Sequence, residues 1–296
     1  MRQTDTAHRY IGRFAPSPTG DLHFGSLVAA VASYLQAQVN GGQWLVRIED
    51  IDPPREVAGS AERIVAELRR FGMESNGPIV YQSRRLEAFE LARDCLLESG
   101  KAFWCGCSRA DVPRSGVYPG TCRNGLPKGK QPRSVRLKVD DRPIVFEDLV
   151  QGRIEENLKE TTGDFVIQRA DGLPAYQLAV VVDDAWQQVS EIVRGADLLG
   201  STARQIHVQR SLGLETPTYA HHPVAIGPDG NKLSKRDGSD PVARLPRGEA
   251  LTMALRFLGQ RCPAGLSTAE LWGWARENWK LSKIPTASRY NADSSP

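Results

Sequence analysis

Arg13-Phe14-Ala15-Pro16-Ser17-Pro18-Thr19-Gly20-Asp21-Leu22-His23-Phe24-Gly25-Ser26 is the stretch whose reading decides the fold. It follows a short apolar run, Tyr10, Ile11 and Phe14, which predicts a first β-strand. After it, Leu27, Val31, Leu35 and Val39 recur every four residues and predict one face of a helix. Pro16, Pro18 and Gly20 force a stiff turn between the two. A strand, a rigid loop and a helix start together offer backbone N–H groups and a positive dipole end, which suit anionic phosphate. His23 and Ser26 fall where the helix begins, within reach of such a ligand.

Outward from this stretch the chain alternates strands and helices. Gln43–Ile48 predicts a second strand, whose end carries Glu49, Asp50 and Asp52 before Pro53 and Pro54. Asp50 and Asp52 read as structural or solvated acids. Ser60 is expected to cap a helix with Ile64, Val65, Leu68 and Phe71 on its apolar side. A further helix is expected over 86–99, stopping at Gly100, with Cys95 as a small buried thiol on it. From Lys101 helical periodicity vanishes and Gly and Pro become frequent, with strands at 134–139 and 144–146 that look antiparallel. The α/β pattern resumes with a strand at 164–168, a segment helical in part at 175–186, and a strand at 189–193 followed by Arg194, Gly195, Ala196 and Asp197. Ser201 is expected to cap a helix reaching Leu212, and 223–226 reads as the last strand. Beyond Pro246, Leu251, Leu255 and Leu258 mark one helix; Leu271, Trp272, Trp274 and Trp279 mark a second, its aromatics read as core. A disordered tail is expected from Ser282.

With 296 residues the chain has ample core for a large domain with an insertion. No apolar run of about 18 residues exists, and the first residues lack the apolar centre of a secretory signal, so the expected location is the cytoplasm and no membrane is expected as partner. The net charge is +3, but residues 101–142 carry ten Lys/Arg against three Asp, a local +7 that leaves −4 elsewhere. A basic module on an acidic body suits a docked polyanion. Gly-x-Gly-x-x-Gly and Walker-type phosphate fingerprints are missing.

Inside the basic module, Cys105, Cys107 and Cys122 supply three thiolates to a segment too rich in loops to be held by apolar burial. One structural Zn²⁺ per chain would provide that stability. The five histidines, at 8, 23, 207, 221 and 222, all lie far away in sequence. Tyr118 is therefore the best local fourth ligand, as a phenolate, with Asp111 behind it. Three free cysteines without metal are the alternative.

The run His23-Phe24-Gly25-Ser26 resembles the His-Ile-Gly-His signature of class I aminoacyl-tRNA synthetases, and Lys232-Leu233-Ser234-Lys235-Arg236, later in the chain, is similar to their Lys-Met-Ser-Lys-Ser loop. The preceding Arg-Phe-Ala-Pro-Ser-Pro-Thr-Gly run points to the glutamyl and glutaminyl branch. The resemblance implies an α/β fold: a Rossmann-type parallel sheet at 1–100 and 164–240, split by the zinc-containing insertion at 101–163, with a small helical region at 241–296. It also implies formation of glutamyl-adenylate from L-glutamate and ATP with Mg²⁺. His23, Gly25 and Lys235 would contact ATP, and His23, Ser26, Lys232 and Lys235 would stabilise charge on the phosphoryl oxygens. Arg13, Phe14, Ala15, Pro16, Ser17, Glu49, Tyr176 and Arg194 would line the glutamate pocket, the arginines matching a carboxylate and Glu49 an ammonium. The Cys-x-Cys…Tyr-x-x-x-Cys pattern is likewise similar to the branch and favours Tyr118 as ligand. Family members often carry histidine where Ser26 stands, and Arg236 replaces the last serine of the loop; activation is expected to survive both changes.

Only 61 residues follow Lys235, too few for an anticodon-binding region comparable to a typical domain of about 100 residues. The chain therefore resembles those members of the glutamyl branch that lack that region. This implies activation of glutamate without tRNA, then transfer to queuosine at the wobble position of tRNA(Asp) by a monomer that receives the anticodon stem-loop. Rival readings are a truncated synthetase charging an acceptor end, a non-catalytic tRNA-binding paralogue, and a small-molecule adenylyl-forming ligase.

Overall fold

The computed structural model describes residues 9–226, 242, 245–286 and 289–291. Strand β1, Ile11–Phe14, pairs in parallel with β2, Gln43–Ile48, and β2 in parallel with β3, Val80–Tyr81. Between β1 and β2 lies helix α1, Phe24–Val39, whose Leu27, Val31 and Leu35 are buried as their spacing predicts, whereas Val39, in the last turn, is exposed. Helices α2, Ser60–Arg70, and α3, Leu86–Glu98, follow in the same half. A second sheet joins β9, Glu191–Gly195, to β10, Thr218–His222, in parallel, then to β6, Ile144–Asp148, and antiparallel to β7, Gly152–Glu156. The two sheets meet where Ser190 N–H donates to Ile11 O (2.9 Å) and Ile11 N–H donates to Ser190 Oγ (2.9 Å). That seam sets β1 beside β9, with the carboxyl ends of both opening on the same side.

A third sheet, antiparallel, runs β4, Ala102–Cys105, β5, Ser134–Leu137, and β8, Phe165–Gln168. Strand β8 leads into α5, Tyr176–Trp186, and β9 is followed by α6, Leu199–Leu212. The short helix α4, Leu158–Thr161, precedes β8. Strand β11, Val224–Ile226, pairs with β12, Arg289–Asn291, and α7, Arg247–Phe257, and α8, Thr268–Asn278, lie between them in sequence. Among the described residues no helix is long and apolar enough to cross a membrane.

Several expectations are corrected. Ser60 is the first helical residue behind Gly59 rather than a cap; its hydroxyl accepts from Gly20 N–H and donates to Gly20 O (2.6 Å), tying α2 to the loop after β1. Ser201 lies inside α6, which begins at Leu199, and accepts from Gln177 instead of capping. Strands β5 and β6 do not pair with each other, because β6 turns to β10 and β7 while β5 lies between β4 and β8. Residues 176–186 are helical throughout, and Arg194 lies within β9 rather than after it. Cys95 is exposed, since α3 buries Phe89 and Leu96 on its inner face and turns Leu91 outward with the thiol. The expected tail contains the helical turn Leu281–Lys283, a buried Ile284 and strand β12.

Trp272 and Trp279 are core, as read, while Trp274 is half-buried against it. Trp272 Nε1–H donates to Phe71 O (2.8 Å) and Trp279 Nε1–H to Gln36 Oε1 (2.8 Å), so α8 is pinned to α1 and to the end of α2 by buried apolar area and two satisfied indoles. Trp272→Ala is expected to cost about 3–5 kcal/mol of stability, read as a lowered urea midpoint at unchanged slope.

Candidate active site

A cleft of about 300 Å³ opens at the carboxyl ends of β1, β2 and β9 and at the start of α1, the place where open α/β sheets bind ligands. Its wall includes Arg13, Phe14, Ala15, Pro16, Ser17, His23, Gly25, Ser26, Glu49, Tyr176 and Arg194, so every described residue expected around glutamate or ATP lines one cavity. Lys232 and Lys235 lie outside the described residues.

At the α1 end, His23 is the N-cap, and its Nδ1 accepts the Ser26 N–H (3.2 Å). With Nδ1 accepting, the ring proton sits on Nε2, which faces the Ser26 hydroxyl at 3.0 Å. Ser26 is thus the partner of His23. Gly25 leaves room for the His23 ring: a Cβ there would stand 3.3 Å from it and would press the ring aside.

On the other wall, Arg13 Nε–H donates to Asp184 Oδ1 (3.1 Å). Arg47, wholly buried, donates to Asp184 (2.8 Å), Glu49 (3.3 Å) and Gln187 (2.6 Å). Asp183, also buried, stands 3.9 Å from Arg47 Nε. Two cations and three carboxylates are therefore interleaved out of water, where losing one partner costs about 3–5 kcal/mol. Burial pushes the Glu49 carboxyl above its usual range, against the pull of Arg47 and Arg13. For Asp184, burial is outweighed by the two arginines, which hold its carboxyl below the usual range. Tyr176 opens α5 beside Glu49, and burial raises its phenol.

Arg194 is buried and uses two of its three nitrogens on protein: Nε–H donates to His221 Nε2 (2.9 Å) and Nη2–H to Thr202 Oγ1 (2.9 Å). Its Nη1 is buried with no hydrogen-bond partner among the described residues. A guanidinium nitrogen left so is complementary to an anionic oxygen. Asp50 and Asp52, read as structural, accept from Ser83 and from Arg55 and Arg169 respectively.

The sequence did not single out Arg47, Asp148, Asp184 or Arg136, nor His221 beyond its place in the histidine count. A signal existed for two of them: Arg47 interrupts an apolar strand, and Asp184, with Asp183, sits near the C-terminal end of an otherwise apolar helix.

Cys105, Cys107 and Cys122 are buried with their sulfurs all within 4.8 Å of one another. The Cys107–Cys122 separation is 3.6 Å, and Tyr118 Oη lies 3.4 Å from Cys105 Sγ and 3.8 Å from Cys107 Sγ. A tetrahedral site with metal–sulfur bonds of about 2.3 Å puts its ligands about 3.8 Å apart, so three thiols and the phenol fit one ion. Burial opposes ionisation of Cys105, yet hydrogen bonds from Tyr118, the Cys107 N–H and Arg136 bring its thiol down to about 7. The Arg136 guanidinium also lies over the Tyr118 ring at 3.9 Å, a cation against a potentially anionic cluster. Asp111 is committed elsewhere, accepting from Ser108 and Lys130. Gly163, at φ +67°, lets the backbone of Tyr118 approach: a Cβ would fall 2.4 Å from Tyr118 O.

Residues 11–114 and 121–255 match the catalytic-domain model of the class I tRNA synthetases (E and Q). The chain is 52% identical over 291 residues to the glutamyl-Q tRNA(Asp) synthetase of Dechloromonas aromatica, covering 94% of this chain and 97% of that one. It is 53% identical over 296 residues to that of Geobacter sulfurreducens, covering 94% of each. Among solved structures, a glutamate tRNA ligase of Elizabethkingia meningosepticum, crystallised with its amino acid, superposes with a TM-score of 0.81 at 27% identity, over 97% of this chain and 67% of that one. The chain belongs to the class I tRNA synthetases of the E and Q group, within the glutamyl-Q tRNA(Asp) synthetase family.

Proposed function

We propose that this protein activates L-glutamate with ATP in the absence of tRNA and transfers it to the cyclopentenediol of queuosine at the wobble position of tRNA(Asp). The observation that carries the reading is the cleft itself: a helix start capped by His23 faces Arg13, Glu49 and Arg194 across one cavity, and Arg194 Nη1 has no hydrogen-bond partner among the described residues. Arg13 and Arg194 hold the side-chain carboxylate of glutamate and Glu49 its ammonium, leaving the α-carboxylate directed at the nucleotide. An oxygen of that carboxylate bonds to the α-phosphorus as the bond to pyrophosphate breaks. The carboxylate is already ionised, so no general base is required; alignment and charge stabilisation do the work. His23, Ser26 and the first turn of α1 supply these at the cleft, the motif assigns Lys232 and Lys235 to the same charge, and Mg²⁺ travels with ATP. In the second step a queuosine hydroxyl bonds to the acyl carbon and AMP leaves.

Arg109, Arg133 and Arg169 border a broad cleft that reaches Ala175, next to Tyr176. We assign it to phosphates of the anticodon stem-loop, since basic side chains along a groove supply non-specific nucleic-acid affinity. The thiol cluster holds a structural Zn²⁺ through Cys105, Cys107, Cys122 and Tyr118; four protein ligands leave no open position for chemistry.

With labelled glutamate, ATP and tRNA(Asp), label is expected in the anticodon fragment only when queuosine is present. Label at the 3′ end instead identifies a synthetase that charges acceptor ends. Lys235→Ala is expected to abolish glutamate-dependent pyrophosphate exchange; an undiminished rate removes that lysine from the mechanism. Elemental analysis is expected to give about one zinc per chain, lost in Cys107→Ser together with thermal stability.

A further inference from the structure

Arg194 is oriented by a buried pair that neither the sequence motifs nor the cleft wall includes. Asp148, at the end of β6, is buried and accepts four hydrogen bonds: from the backbone N–H groups of Val150 (3.0 Å), Gln151 (2.8 Å) and His221 (3.1 Å), and from His221 Nδ1 (2.5 Å). His221, on β10, is wholly buried, and its other ring nitrogen, Nε2, meets Arg194 Nε at 2.9 Å. A guanidinium can only donate. Nε2 must therefore carry a lone pair, which leaves the single proton of a neutral imidazole on Nδ1, where Asp148 accepts it. The chain of donors runs one way, Arg194 to His221 to Asp148, and one carboxylate sets the tautomer of the ring.

We propose that Asp148 and His221 are positioning residues that fix the Arg194 guanidinium in the wall of the cleft, and thereby set the affinity for an acidic side chain. The inference rests on the reading of Arg194 as a carboxylate-binding residue and adds to it the device that holds it. The groups packed around His221 agree with the assignment. Asp148 faces it from β6, Arg194 from β9 and Thr202 from α6, while Tyr219 stacks on it at 6.1 Å and His222 follows it on its own strand. Burial, with Arg194 adding to it, lowers the imidazole to about 4, so the ring is neutral at physiological pH. Burial alone would raise the Asp148 carboxyl, but the hydrogen bonds from His221 and Gln151 hold it below its usual range. A neutral donor on a charged acceptor satisfies both directions. Without the relay, the hydrogen bonds left to the guanidinium are those of Nη2 to Thr202 and the Leu198 carbonyl, and Nε loses its acceptor.

The test exploits the tautomer. In Asp148→Asn, one amide oxygen stays with the backbone N–H groups, and the NH₂ donates to Nδ1. The ring proton then moves to Nε2, where it opposes the Arg194 Nε–H. In glutamate-dependent pyrophosphate exchange, Asp148→Asn is expected to raise KM for glutamate by about 10- to 100-fold, with KM for ATP within about twofold. His221→Gln, whose carboxamide offers a donor to Asp148 and an acceptor to Arg194, is expected to stay within about threefold of the parent in both. The ¹⁵N spectrum of the full chain at pH 7 is expected to show His221 neutral with the proton on Nδ1; a protonated ring, or one with the proton on Nε2, overturns the relay even if Asp148→Asn does not fold. Arg194→Ala serves as the reference. If it raises KM for glutamate while a folded Asp148→Asn does not, the relay is wrong and the carboxylate reading stands. If Arg194→Ala leaves that KM unchanged, the carboxylate reading fails first.

Discussion

Two hydrogen bonds between Ile11 and Ser190 set β1 beside β9, within a seam that the Tyr10–Glu191 and Arg13–Asp184 contacts and the core under α1 also join, and the cleft depends on that seam. Each contributes only about 0.5–1.5 kcal/mol. Their geometric effect is larger. By placing β1 beside β9 they put Arg13 and Arg194, 181 positions apart in the chain, on the same wall, and they aim the end of each strand at the start of α1. Parallel strands with helical crossovers make such an arrangement possible, because every carboxyl end opens on one side.

Cations and acids on that wall are almost completely dehydrated, and such groups persist only when each has a fixed partner. Two solutions coexist. Arg13, Arg47, Asp184 and Glu49 share charges in a compact cluster, whereas Arg194 is braced through a neutral ring to a distant carboxylate. The first leaves a carboxyl displaced upward in its titration, ready to gain from a cation. The second leaves a guanidinium nitrogen unmet among the described residues, complementary to an anion. An amino acid with an acidic side chain carries both charges, which is why the proposed ligand suits both solutions.

Much of this was legible in the residues. The stretch from Arg13 to Ser26 gave strand, loop and helix in the order found, and Glu49 and Arg194 stand near strand ends as read. Helix caps failed at Ser60 and Ser201 because their hydroxyls serve tertiary contacts, to Gly20 and to Gln177, that local sequence does not encode. The exposure of Cys95 went unseen because α3 has two partly apolar faces, and only packing selects between them. Pairing of β6 with β10 joins residues about 70 positions apart, so the partnership of Asp148 with His221 has no local signature. The triad of cysteines with Tyr118 was readable from spacing and family likeness. Arg136, which lies over the phenol, was not, since it looked like one more cation in a basic segment.

Strand β8 belongs to two neighbourhoods at once. Cys105 pairs with Ser134 on β5, Val135 pairs with Gln168 on β8, and Ile167 O receives the N–H of Ala175, the residue before Tyr176. The sulfur knot and the tyrosine of the cleft are thus the two ends of one continuous lattice of backbone bonds, a beam with an anchor at one end. Oxidants that unpick the knot need never enter the cavity to disturb it.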